Sequence, residues 1–405
     1  MAAAYVANVT VFDGRRVQGR RGVLIDGDRI VWVGPHARAP REAARARTVD
    51  PAGGTLTPGL IDCHVHLSFD GSNDFAGEAA AMTLPLAVIK GTLNLRRHLA
   101  AGVTTVRDLG GLGTCELGAA VAGGLLPGPR VVAAGRALTI TGGHGHNVAF
   151  AREVDGPDAL RAAVREEIKA GAAAIKLIAT GGVLTPGIGA TFTAFTDEEL
   201  AAAVDEAHAW DRGVAAHAIG AEGIERAIRA GVDSVEHCVQ LTATTAKEMA
   251  ARGTFRGATI VALTGIAGNE EVPDYARRKA TALVDDARAA HRAAVRARVR
   301  HVVSTDAGTP FNPHGNAPTE VALMVEWGSS PSQAMVAATS DGATLLRVPD
   351  VGAIEPGRLA DLVLWPGNPV DDPAALRVPE IVWKDGRVVA RGGRLTRDAT
   401  VTTRG

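Results

Sequence analysis

Between residues 58 and 349 the chain alternates short apolar runs with Ala-rich stretches of helical period, and this alternation constrains the fold more than any other feature. Apolar runs too short for helices, separated by helical segments, make βα units, and successive βα units build a parallel sheet covered by helices. Candidate strands fall at 60–66, 103–108, 130–134, 173–179, 213–217, 233–237, 257–263 and 301–305. Helical stretches such as 157–170, 197–210, 221–230 and 244–251 lie between them. Eight such units fit a closed (β/α)8 TIM barrel better than an open sheet.

The two ends of the chain read as β structure. Tyr5 to Phe12 alternates apolar with other residues, and Val23-Leu24-Ile25 faces Ile30-Val31-Trp32-Val33 across Asp26-Gly27-Asp28, a hairpin turn. Near the other end lie Leu362-Val363-Leu364-Trp365 and a second hairpin, Ile381-Val382-Trp383 to Arg387-Val388-Val389-Ala390 across Asp385-Gly386. Neither end buries a sheet face by itself, so the two are expected to pack together. The expected architecture is α/β, with a small β-sandwich composed of 1–57 and 350–405 attached to a barrel domain at 58–349.

A length of 405 residues suits a barrel plus a smaller domain. Apolar residues at 46% and charged residues at 21% exclude a disordered chain. A formal charge of -1, with both signs mixed throughout, gives no reason to expect a nucleic acid or an anionic membrane as partner. Three cysteines, Cys63, Cys115 and Cys238, argue against a disulfide framework and suit a reducing cytoplasm. The first residues, MAAAYVANVTVFDGRR, lack the basic-then-apolar order of a signal peptide, and no stretch of about 18 apolar residues offers a membrane span. The chain is therefore expected in the cytoplasm, with a small-molecule substrate and further copies of itself, as a homo-oligomer, for partners.

Five of the candidate strands carry residues that metals bind. His64 and His66 in Asp62-Cys63-His64-Val65-His66 stand two apart and so share one face of a strand. Alone, such a pair is also compatible with satisfied or surface imidazoles. Lys176 sits in the apolar run Ala173-Ala174-Ile175-Lys176-Leu177-Ile178, where its ammonium loses hydration. Either it snorkels to the rim, or it is neutral and reacts with CO2 to give an anionic carbamate that bridges two cations. His217 and His237 end their strands, where barrel active sites are built. Asp306, in Val303-Ser304-Thr305-Asp306-Ala307-Gly308, fits a helix cap as well as a metal ligand and proton acceptor. Singly each has a bland explanation. Together, placed on strands one, four, five, six and eight, four imidazoles, a carbamate and a carboxylate form a sensible donor set for two divalent ions, with Zn2+ the expected identity.

With these residues in place the sequence resembles the amidohydrolase superfamily over essentially its whole length. Thr57-Pro58-Gly59-Leu60-Ile61-Asp62-Cys63-His64-Val65-His66 looks like the opening motif, and Ile354-Glu355-Pro356-Gly357-Arg358-Leu359-Ala360-Asp361-Leu362-Val363 like the closing one. Ala101 to Asp108, Gly142-Gly143-His144-Gly145, Ile175-Lys176 through Gly181-Gly182-Val183, and Ala230 to His237 are similar to one branch of it. That branch contains Xaa-Pro dipeptidases, arginine carboxypeptidase-like enzymes, ochratoxin-hydrolysing amidases and, more distantly, imidazolonepropionases. Imidazolonepropionases use one metal and lack the bridging lysine, so Lys176 favours the two-metal, dipeptidase-like side. The resemblance implies that His64, His66 and Asp306 hold a buried ion, that His217 and His237 hold an outer one, and that carbamylated Lys176 bridges them. It implies that His144 contacts substrate; neighbouring His146 reads better as an exposed imidazole of a Gly-rich loop.

The expected chemistry follows from those ligands. Two cations sharing a water lower its pKa from 15.7 towards roughly 7, and the resulting hydroxide attacks the scissile carbonyl. Asp306 takes the proton and passes it to the leaving nitrogen. The expected activity is hydrolysis of an amide bond in a dipeptide or N-acyl amino acid. An ester, lactone, cyclic amide or phosphotriester is the alternative substrate, and a metal-free scaffold is the non-enzymatic one. One departure weakens the peptidase expectation: the only tyrosines are Tyr5 and Tyr275, leaving none between His217 and His237 to hold a substrate carboxylate, while Arg226 and Arg229 read as solvated helix residues. The glycine-rich segment 180–190 reads as a mobile lid or as an ordinary long βα loop.

Overall fold

Parallel pairing of largely buried strands organises the centre of the computed structural model, which describes residues 3–51 and 53–397. The outermost residues of the expected terminal segments, 1–2 and 398–405, and residue 52 lie outside the described residues. One parallel sheet contains Leu60–Val65, Val103–Asp108 and Arg130–Ala133. A second, of seven strands, runs in the order Ala151–Glu153, Ala137–Thr139, Ala174–Ile178, Gly213–Ala218, Ser234–His237, Phe255–Gly257 and His301–Val302. Runs such as Leu-Ile-Asp-Cys-His-Val and Ala-Ile-Lys-Leu-Ile are buried at every position, as expected where helices cover a parallel sheet.

Backbone hydrogen bonds link the two sheets at both edges. On one side Cys63 donates to the Val303 carbonyl (2.7 Å), Asp306 to His64 (2.8 Å) and His66 to Ala307 (2.8 Å). On the other, the amide of Ala173 donates to the carbonyl of Ala133 (2.8 Å).

The helices form where local chemistry supports them. Asp197–Ala209 opens with a reciprocal Thr196–Glu199 capping box, and its Leu200, Ala203, Val204 and Ala207 bury against Ile175, Leu177, Val214 and Ala216. Ala221–Ala230 stops at Gly231, whose φ of 93° suits a residue without a Cβ.

The expected seventh strand at 257–263 is corrected. The strand is Phe255–Gly257, and Ile260–Ala267 is a helix. A short run that is apolar on every side does not distinguish the two periods. What decides is the turn: Thr259 takes a φ of 49°, and the Glu320 carboxyl group accepts from the amides of Ile260 (3.0 Å) and Val261 (2.8 Å), satisfying the helix N-terminus.

Strands from both ends of the chain form one nine-stranded sheet, joined where Leu362–Trp365 runs antiparallel to Thr55–Pro58. Val6, Val23, Leu56, Leu364 and Trp383 share one buried apolar cluster across that junction. Both hairpins form as expected, and Asp385 and Gly386 take φ of 48° and 72°, the paired positive values of a tight hairpin turn. Trp365 is fully buried and its indole N–H donates to Thr57 Oγ1 at 2.9 Å. Among the described residues no helix is long and apolar enough to cross a membrane.

Candidate metal and substrate site

Parallel strands bring all their C-terminal ends to one side, and there the chain gathers its unusual polar residues. His64 is the penultimate residue of Leu60–Val65 and His66 follows that strand; Lys176 lies inside Ala174–Ile178, His217 inside Gly213–Ala218, and His237 ends Ser234–His237. Asp306 follows His301–Val302 with a φ of 58°, and His237 has a φ of 66°. Such values in residues other than glycine persist only where surrounding structure imposes them, often at functional sites. At His237 the turn breaks strand alternation, so that Glu236 and His237 both reach His64: Glu236 Oε2 lies 3.2 Å from His64 Nδ1, and the two imidazole centroids are 5.4 Å apart.

The expected residues converge. Asp306 Oδ1 is 3.3 Å from His64 Nε2 and 3.1 Å from His66 Nε2, and one ligand atom from each of the three residues falls within 4.8 Å of the others. Lys176 Nζ lies 3.5 Å from His64 Nε2. The chain of rings continues from His237 to His217 (4.4 Å between centroids) and from His217 to His144 (4.8 Å). All seven side chains line one cavity of about 380 Å³. His146 does not line it; its Nδ1 lies 2.8 Å from the Gly143 carbonyl.

Each imidazole is anchored through one nitrogen. His66 Nδ1 faces the Gly110 carbonyl (2.8 Å), His217 Nε2 the Gly181 carbonyl (2.7 Å), His237 Nδ1 Thr259 Oγ1 (2.8 Å) and His144 Nδ1 Thr185 Oγ1 (2.7 Å). Fixing one ring nitrogen on an outer partner and sparing the other is how metal-binding histidines are oriented. Burial pushes the pKa of His64, His217 and His237 well below the ordinary value, keeping them neutral, the form in which a ring nitrogen binds a cation. Burial also lowers His144 to about 4 and the Lys176 ammonium to about 8. Burial opposes ionisation of Asp306, but His64, His66 and Lys176 outweigh it and hold the carboxyl below the usual range. His66 differs: burial lowers its pKa, but the Asp306 carboxylate beside it outweighs burial and raises it, an interaction that a cation between the two would replace. Three neutral imidazoles, a persistent carboxylate and an easily deprotonated amine fit divalent cations.

The outer partners escaped the sequence reading. Arg107 is buried, donating to Glu236 Oε1 (2.7 Å) and to the Cys63 carbonyl (2.7 Å). Asp62 accepts from Thr305 Oγ1 at 2.6 Å and so ties the first strand to the segment carrying Asp306. Their signal was visible only as charged residues inside otherwise apolar strands. Cys63 and Cys238 are buried, and burial pushes both thiols up, Cys238 to about 11, consistent with packing roles.

The segment 180–190 is held down. Lys279 donates to the carbonyls of Gly182 (3.2 Å), Thr185 (2.8 Å) and Ile188 (2.6 Å), and Tyr275 Oη donates to the Leu184 carbonyl (2.8 Å). Gly182 carries the ring of His144 so closely that a Cβ there would lie 2.3 Å from it. Arg226 and Arg229 pair with Asp197 on the helical outside, as their spacing suggested.

The sequence model of the Amidohydrolase family matches residues 55–389. The chain belongs to that family. It is a hydrolase of carbon–nitrogen bonds. It is 31% identical over 404 residues to the ochratoxinase of Aspergillus niger, covering 91% of this chain and 83% of that one. It is 27% identical over 370 residues to the imidazolonepropionase of Salinispora tropica, covering 84% of each. Among solved structures, a Xaa-Pro dipeptidase with methionine bound in its active site superposes with a TM-score of 0.88 at 33% identity, over 96% of this chain and 99% of that one. This amidohydrolase thus shares a mixed α/β fold with parallel sheets with its relatives, and the expected superfamily is its own.

Proposed function

We propose that this amidohydrolase hydrolyses an amide bond in a small substrate, of the dipeptide or N-acyl amino acid type or a close analogue, with two divalent cations, Zn2+ by preference. The observation that carries the reading is the convergence of His64, His66, Lys176, His217, His237 and Asp306 at one end of the parallel strands, each imidazole with one nitrogen anchored away. The hydrogen bonds from both edges of the three-stranded sheet to the seven-stranded one support a closed (β/α)8 barrel at 58–349. The cluster shared by both termini supports a folded-over β-sandwich of 1–57 and 350–405.

His64, His66 and Asp306 would hold one cation, His217 and His237 the other, and Lys176, as its carbamate, would supply an anionic ligand to the pair. Lys176 becomes a carbamate when its neutral amine attacks CO2 and releases a proton, and an ammonium pKa near 8 makes that amine available at neutral pH. When bound, the pair of cations supplies a nucleophilic water near neutral pH and polarises the scissile carbonyl. Asp306 accepts the proton of the attacking water and hands it to the leaving nitrogen. His144 donates to the developing oxyanion from Nε2. Thr185 sets that tautomer: its Oγ1 accepts from the Gly145 amide at 3.1 Å, leaving its own proton for His144 Nδ1.

The reading is tested by stripping the enzyme with a chelator, restoring Zn2+, Mn2+ or Co2+ with bicarbonate, and assaying matched amides and esters. Amide cleavage lost on stripping and regained on restoration supports it. Cleavage of esters alone would move the assignment to the ester alternative, and amide turnover unaffected by stripping would remove metal dependence.

A further inference from the structure

Resting on the amide-hydrolase reading, we infer that the cavity selects an amide whose groups beyond the reach of the cations are uncharged and apolar, at least one of them aromatic, rather than one bearing a carboxylate remote from the scissile bond. The cavity wall beyond the polar cluster is built from Phe69, Phe75, Phe150, Val148, Leu263 and Ile266, among other apolar side chains. Phe69 packs against Phe75 with centroids 5.0 Å apart and edge-on to Phe150 at 5.8 Å, an aromatic corner beside His66, whose ring is 5.4 Å from Phe150. Aromatic groups prefer such offset and edge-to-face surroundings.

Away from the cations, the cavity lacks what a carboxylate needs. No arginine lines it among the described residues, and its one lysine is Lys176, which the proposed function assigns to the cations. Lys279, on the helix that borders the cavity, has its donors directed at three carbonyls of 182–188. Tyr275 lines the wall, but its hydroxyl donates to Leu184. The N-terminus of Ile260–Ala267 approaches the cavity through Thr259, yet its first amides are taken by Glu320. Asp74, which caps the helix Phe75–Ala80 by accepting from the Gly77 amide at 2.9 Å, offers an anion no positive charge. A carboxylate buried against that wall, out of reach of the cations, loses its hydration and gains no cation in exchange, whereas an aromatic ring gains apolar contact. A cavity of about 380 Å³ is of a size that takes small organic ligands.

The test compares hexanoyl anilide with its para-carboxylated twin on metal-loaded enzyme, the charge being placed far from the scissile bond so that it cannot reach the cations. Alongside hydrolysis, calorimetry measures binding of the corresponding ketones, in which a methylene replaces the amide nitrogen. The expected result is a preference of about tenfold or more for the uncharged member in both kcat/KM and Kd. Leu263→Arg, which adds a cation to the apolar wall, should reduce or reverse that preference. Equal or tighter binding of the carboxylated ketone by the wild-type chain overturns the inference, as does failure of both ketones to bind. Preferential binding of the neutral ketone without cleavage of either amide leaves the selectivity standing and removes the amide-hydrolase reading instead.

Discussion

Asp306 concentrates several demands on one residue: a positive φ, two imidazoles within 3.3 Å, and a carboxyl held ionised against burial. Asp306→Asn keeps the shape and removes the proton acceptor, so kcat should fall about 100- to 10,000-fold while bound metal is partly retained. Steady-state kinetics beside metal analysis check this, and wild-type kcat in the variant would exclude Asp306 as the proton carrier. Thr185→Val tests the tautomer of His144. Without a hydroxyl to donate to Nδ1, the imidazole is free to place its proton there, and kcat should fall about tenfold or more with KM little changed; a change in KM alone would make Thr185 a packing residue. At this scale the sequence displayed every proposed ligand, because histidine, lysine and aspartate at strand ends stand out against apolar runs. It hid Arg107 and Glu236, whose 2.7 Å contact joins residues 129 positions apart and has no local pattern. It hid the Thr185–His144 pair for the same reason, with 41 positions between partners.

Elements were legible where period and caps agreed and illegible where an apolar run was buried all round. Leu60–Val65, Val103–Asp108 and Ser234–His237 lie where alternation and strand-end polar residues placed them, whereas Ile260–Ala267 presents a wholly apolar face and turned out helical. Its N-terminal partner Glu320 carries a testable consequence. Burial raises the Glu320 carboxyl to about 8, so the native state binds a proton there that the unfolded chain releases near the ordinary glutamate value. This contribution to stability is fully present below about pH 4.5, declines as pH rises, and is lost above about pH 8. Tm measured across that window should fall less steeply in Glu320→Gln than in wild type, and parallel slopes would contradict the assignment. The segment 180–190 tests a second element. Lys279→Met leaves three carbonyls without their ammonium donor, so stability should drop by about 1–2 kcal/mol and protease cleavage within 182–188 should accelerate. Unchanged cleavage would mean that the apolar contacts of this loop suffice to hold it.

At the scale of the molecule, the terminal sheet and the central strands share buried structure. A Cβ at Gly102, the residue that enters the second central strand, would meet the Trp365 ring at 2.9 Å. Trp365→Ala should therefore cost about 3–5 kcal/mol and lower Tm in a single transition, and a calorimetric trace that splits in two would show the layers unfolding separately. The sequence displayed that both ends are β structure, but their joining through Thr55–Pro58 and Leu362–Trp365 spans some three hundred residues and leaves no trace in local pattern. What unites the fold with its proposed chemistry is the gathering of six side chains around two cations. Anomalous diffraction at the metal absorption edge, on crystals of the active enzyme, examines that directly. Two peaks are predicted, one bonded to His64, His66 and Asp306 and one to His217 and His237, each at about 2.0–2.2 Å and both touching a modified Lys176; an active enzyme with no peak among these residues would contradict the account.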